Sequence, residues 1–79
     1  MERPILSIVI PCYNEEAVLP ETQKRIASLL DQLVERRLVS PASFVVFVDD
    51  GSKDQTWELI SKYHQDNPLM SGVKLSRNR

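Results

Sequence analysis

The sequence predicts an α/β domain built on a parallel sheet. Two short β-branched runs, residues 5–10 and 44–48, are apolar on both faces, as in the strands of a sheet covered on both sides. Each run is followed by a stretch whose apolar residues recur at intervals of three and four. Breaker residues, among them Pro11, Pro41, Gly51, Pro68 and Gly72, punctuate the changes of period.

The first strand, Ile-Leu-Ser-Ile-Val-Ile, is expected to stop at Pro11, which has no N–H to give a ladder. From about Ala17 to Arg37 a helical stripe of Ile26, Leu29, Leu30, Leu33, Val34 and Leu38 should face the sheet. Glu15, Glu16 and Glu21 near its start and Arg36 and Arg37 at its end suit the helix dipole. Pro20 is tolerated only in a first turn, so the helix should begin between Glu16 and Pro20.

Ser40-Pro41-Ala42-Ser43 separates this helix from the second strand, residues 44–48, which ends on Asp49-Asp50-Gly51-Ser52. Asp54 is expected to cap a second helix running to about Gln65, with Trp57, Ile60, Tyr63 and His64 at helical spacing and Asn67-Pro68 as its stop. Gly72 then precedes a third short segment, Val73-Lys74-Leu75. The order strand, helix, strand, helix, strand implies right-handed crossovers. Three strands leave such a sheet open, so the chain is expected to be part of a longer protein.

Composition narrows the function classes. Of 79 residues, 42% are hydrophobic and 27% charged, which excludes wholesale disorder. Ten Lys plus Arg against eleven Asp plus Glu give a net charge of −1, so there is no field to gather nucleic-acid phosphates, and nucleic acid is not an expected partner. The single cysteine, Cys12, has no internal partner and is expected to be a small buried hydrophobe beside the first strand. The longest apolar run, about five residues, is far short of the ~20 that cross a bilayer. These residues therefore predict a cytoplasmic chain, although a longer protein could carry membrane helices downstream.

In open parallel sheets, ligands gather at the carboxyl ends of the strands. Two polar clusters fall there: Pro11-Cys12-Tyr13-Asn14-Glu15-Glu16 and Asp49-Asp50-Gly51-Ser52-Lys53-Asp54. If the two strands are neighbours, the clusters meet on one edge. Trp57 and His64 lie on a helix away from that edge and are expected to cover the sheet.

Ser-Ile-Val-Ile-Pro-Cys-Tyr-Asn-Glu-Glu over residues 7–16, followed by Val-Phe-Val-Asp-Asp-Gly-Ser over 46–52 and by Asp54, resembles the opening of the inverting family-two glycosyltransferases with a GT-A (Rossmann-like) fold. Within that family the chain looks most like the polyprenyl-phosphate glycosyltransferases. The tail, residues 73–79, resembles their third-strand segment, so the resemblance spans essentially the whole chain.

The resemblance implies that residues 1–79 are the N-terminal nucleotide-binding portion of a GT-A domain, truncated after about three strands. It implies that Pro11, Tyr13 and Glu15 contact the base and ribose. Val48 and Asp50 would line the base pocket, with Asp50 accepting a base N–H, while Asp49 supports the loop or the ribose. The residue types suit those roles: Pro11 fixes a turn, Tyr13 offers a ring face, and Glu15 accepts from hydroxyls. Gly51 would turn with positive φ and Ser52 would help to close the turn. Arg77 or Arg79, after the third strand, would suit a diphosphate.

The implied reaction moves a sugar from a UDP- or GDP-linked donor to an acceptor, a polyprenyl phosphate, in membrane or cell-wall glycan synthesis on the cytoplasmic face of a membrane. A divalent cation, Mg or Mn, is implied with ligands outside this chain, since the Asp-x-Asp pattern that holds it is absent from these residues. No catalytic residue is assigned, and the chain alone is expected to be inactive and to self-associate through its open sheet. Polysaccharide- or protein-directed members of the family share the opening motifs. A receiver- or flavodoxin-like domain, with Asp49 and Asp50 on magnesium, is the alternative outside it.

Overall fold

The structure, a computed structural model, describes residues 2–75. Five elements follow in chain order: β1 (Ser7–Cys12), α1 (Leu19–Glu35), β2 (Phe44–Asp49), α2 (Thr56–Asp66) and β3 (Met70–Lys74). The strands form one parallel sheet in the order β1-β2-β3, with Cys12 opposite Asp49 and Asp49 opposite Lys74 at its carboxyl end. The α/β class and parallel sheet expected from the sequence are therefore present, as in the opening part of a GT-A fold. Arg77 and Arg79 lie outside the described residues.

Successive crossovers of one hand that advance in one direction place both helices on the same face of the sheet. Burial along β2 follows: Val45, Phe47 and Asp49 are buried, and the alternating Phe44, Val46 and Val48 only half-buried. The core lies between that face and the helices, where Leu19 and Leu30 of α1 and Ile60 of α2 meet Cys12, Val45, Phe47 and Met70. The sequence expects a sheet covered on both sides, and among the described residues the helices cover this face. Among the described residues the second face, which carries Val9, Pro11, Val46, Val48 and Val73, is not covered by a helix, and Val9 is 61% exposed.

Pro11 does not end β1. The carbonyls of Leu6 and Cys12 accept from Phe44 and Asp50, so even-numbered residues of β1 bond to β2 and Pro11 faces the outer edge. A missing N–H there removes no bond of the sheet.

Helix α1 is shorter than its stripe suggested. Pro20 sits in its first turn, as expected, but the helix stops at Glu35, so Arg36 and Arg37 follow it rather than end it. Its end is closed by Arg37 N–H to the Val34 carbonyl and Leu38 N–H to the Leu33 carbonyl, with Arg37 at φ 61°. Leu29 and Leu38 are exposed, and Leu19, before the proline, is buried. Gly72 lies inside β3 rather than before it.

Candidate functional site

Both polar clusters emerge on one end of the sheet because β1 and β2 are hydrogen-bonded neighbours. Their register places Pro11 beside Val48, and both lie on the face away from the helices. The Asp50 N–H donates to the Cys12 carbonyl at 2.9 Å, continuing the ladder one step past the strands. Tyr13 follows β1 directly and is 53% exposed. Pro11, Tyr13, Val48 and Asp50 are thus brought to one edge.

Asp49 faces the opposite way. Alternation along β2 turns it toward the helices, where it is fully buried and its Oδ1 accepts the Ser52 N–H at 3.1 Å. Its Oδ2 has no hydrogen-bonding partner among the described residues. Asp49 therefore holds up the loop that follows it, with Gly51 at φ 79° making the turn.

Glu15 is half-buried and, with Ile10, Pro11, Cys12, Val18, Leu19 and Thr22, lines a cleft of about 140 Å³ on the outer side of β1. That is below the roughly 300–1,000 Å³ of small-molecule sites, so this cleft by itself does not enclose a nucleoside. The Cys12 thiol lies next to it, 2% exposed. Burial first, and then the charges of Glu15 and Asp49, push its pKa up. A thiol so disposed is a packing group, not a nucleophile.

The two loops are tied by side chains. Asn14 N–H donates to Ser52 Oγ at 2.8 Å, Glu15 N–H to Thr56 Oγ1 at 2.8 Å and Glu16 N–H to Asp54 Oδ2 at 3.2 Å. In return the Lys53 N–H donates to Asn14 Oδ1 at 2.8 Å. Asp54 also accepts the N–H and hydroxyl of Thr56. Desolvation works against ionisation of Asp54, but these bonds from Thr56 and Glu16 outweigh it and hold the carboxyl below its ordinary pKa. The expectation that Asp54 only caps α2 is corrected: Gln55 is the residue at the cap position, and Asp54 bridges the loops. Asn14 and Thr56 escape a sequence reading because partners about forty residues away leave no local period.

Trp57 and His64 stay with the sheet-covering helix. Trp57 packs against the core with the Lys74 ammonium 5.8 Å from its ring centroid, and His64 Nδ1 is 2.7 Å from the Met70 carbonyl oxygen. Among the described residues no three His, Cys, Asp or Glu side chains are grouped to hold a metal ion. Asp54 is committed to the bonds above, and the free Oδ2 of Asp49 is buried with no second ligand grouped beside it, so these acids do not fit a metal centre. No helix among these residues is long and apolar enough to cross a membrane.

Known proteins resemble this chain over most of its length. The chain is 45% identical over 76 residues to the uncharacterized glycosyltransferase YkoT of Bacillus subtilis, covering 96% of this chain and 23% of that protein. It is 40% identical over 75 residues to an undecaprenyl-phosphate 4-deoxy-4-formamido-L-arabinose transferase of Aeromonas hydrophila, covering 94% and 21%. Against the human dolichyl-phosphate beta-glucosyltransferase the identity is 45% over 62 residues, covering 76% and 18%. The chain thus spans about a fifth of the length of the curated relatives it matches. No solved structure matches it. The family described as glycosyl transferase family 2 matches residues 7–79, nearly the whole chain, which therefore belongs to that family.

Proposed function

We propose that this chain supplies nucleotide recognition in a glycosyltransferase that moves a sugar from a UDP- or GDP-linked donor to a polyprenyl phosphate. The observation that carries this reading is the meeting of Pro11, Tyr13, Val48 and Asp50 at the carboxyl ends of two adjacent parallel strands. That is where open α/β sheets receive ligands. Tyr13 offers an exposed ring to a flat base, Val48 and Pro11 form an apolar floor, and Asp50 accepts a base N–H. Glu15 takes the ribose hydroxyls. Asp49, buried under the loop, holds it in place rather than touching the ligand.

The polyprenyl-phosphate acceptor is supported by the names of the Aeromonas and human relatives. In the proposed reaction a phosphate oxygen of the acceptor displaces the nucleoside diphosphate at the anomeric carbon with inversion. A divalent cation on the diphosphate would draw its ligands from outside these residues. Association with the cytoplasmic face of a membrane follows from a lipid acceptor.

Calorimetric titration of the intact protein with UDP and GDP tests the reading and identifies the base. Asp50→Ala is expected to weaken binding roughly ten- to a hundredfold, as for one lost charge-assisted hydrogen bond of about 1.5–3 kcal/mol. Tyr13→Ala acts in the same direction through lost stacking. Full affinity in both variants would place the base elsewhere.

A further inference from the structure

We propose that Asn14, Asp54 and Thr56 are positioning residues, forming a clasp that makes the loops 13–18 and 50–55 one rigid unit and so sets nucleotide affinity. The affinity half rests on the nucleotide-site reading above. Three successive amides of the first loop, those of Asn14, Glu15 and Glu16, each donate to a different side-chain oxygen of the second loop or of the helix start that follows it, on Ser52, Thr56 and Asp54. Asn14 stands at φ 50°, a left-handed conformation that helps to turn successive N–H groups to one side of the chain.

The clasp is directional and closed. Thr56, fully buried, donates its hydroxyl to Asp54 and accepts the Glu15 N–H, so one oxygen serves both loops. Asn14 Oδ1 takes the Lys53 N–H back across the gap. Ser52 passes the connection on to the end of β2 through the Asp49 carboxylate. Tyr13 immediately precedes the first clasped amide, and Asp50 is separated from Ser52 by Gly51 alone. The distance between these two ligand-facing residues is therefore set by the clasp as well as by the strands.

Several of these bonds lie at exposed positions, where water could replace a lost partner. Their effect on global stability is accordingly modest, while their effect on loop geometry is direct. Loops ordered before binding spare the complex the entropy of ordering them afterwards.

The test uses the intact protein and two readouts, amide hydrogen exchange and calorimetric titration with UDP and GDP. Asn14→Gly keeps the left-handed turn accessible and removes only the acceptor for Lys53. Asn14→Asp keeps both the turn and the acceptor. Thr56→Val keeps the shape of the side chain and removes the hydroxyl. Ser43→Ala is the control, because its hydroxyl accepts the Leu6 N–H at the opposite end of the sheet. If the clasp is cooperative, Asn14→Gly and Thr56→Val speed exchange at Glu16, whose own acceptor is untouched, and weaken binding roughly two- to tenfold per tie. Asn14→Asp then restores both, and Ser43→Ala lowers Tm without changing affinity. Faster exchange confined to the amide that lost its acceptor overturns the clasp, and so does faster exchange of the whole loop at unchanged affinity. If the wild-type protein binds neither UDP nor GDP, the nucleotide reading falls and the affinity half with it, while the exchange pattern still decides whether the loops move as one.

Discussion

Gly72 of β3 and Ile60 of α2 are in such close contact that a Cβ added to Gly72 would lie 2.3 Å from Ile60 Cγ2. Trp57 Cζ3 would be 3.2 Å away on the same side. Ile60 is 1% exposed, so its β-branched methyl has no room to withdraw. Gly72→Ala is expected to destabilise the fold by about 1–3 kcal/mol through overpacking. Urea unfolding measures it. Combining the change with Ile60→Leu, which moves the branch one carbon outward, should recover part of the loss, and strictly additive effects would place the clash elsewhere.

The same glycine shows where a sequence reading stops. Residues 5–10 and 44–48 declare themselves as strands through unbroken apolar runs, and the clusters at their ends mark the candidate site. Gly72 carries the composition of a turn, yet it sits mid-strand because α2 approaches β3 too closely for any side chain. Leu19 is the first residue of α1, seven before Ile26 and eleven before Leu30, so it falls on the buried face of the helix although a proline follows it. The ties of Asn14 to Ser52 and of Glu15 to Thr56 span 38 and 41 residues. Strand register creates such neighbours, and no local pattern announces them.

Arg37 offers a stabilising change. It occupies the left-handed position that closes α1, at φ 61°, where a Cβ crowds the following carbonyl. Glycine removes that crowding but adds freedom to the unfolded chain, which offsets part of the gain. Arg37→Gly is therefore expected to stabilise by roughly 0.5–1 kcal/mol, net of those opposing effects. Thermal unfolding reads the shift, and a lowered Tm would mean that the Arg37 side chain holds the turn.

Stability should decline at both ends of the pH scale for different reasons. The folded pKa of Asp54 is lowered, so its contribution is present above the ordinary aspartate value of about 4 and is lost as pH falls through the folded value. The Cys12 thiol and the Tyr63 phenol are both raised, with burial the leading cause in each. They keep their protons in the folded state where the unfolded chain loses them. Their contribution is complete below the ordinary thiol value of about 8.5 and declines as pH rises beyond it. Urea midpoints from pH 3 to 11 should show both limbs. Asp54→Asn should flatten the acid limb alone and Cys12→Ala the first part of the alkaline limb; unchanged limbs would assign them to other groups.

The uncovered face of the sheet gives the last expectation. Val9 is 61% and Val73 46% exposed, and with Pro11, Val46 and Val48 they form an apolar surface opposite the helices. Among the described residues, the outer edge of β1 adds backbone groups that bond to no other strand. Apolar faces and open edges of this kind draw chains together. The 79-residue chain on its own is therefore expected to sediment as a concentration-dependent mixture of monomer and larger species. Val9→Lys places a charge on that face and should shift the mixture toward monomer. Leu29→Lys removes an apolar side chain of similar exposure, 46%, from the outer side of α1 and should leave the distribution unchanged. A wild-type chain that remains monomeric at every concentration would show that this face does not associate, and equal effects of the two lysines would move the contact to the helices.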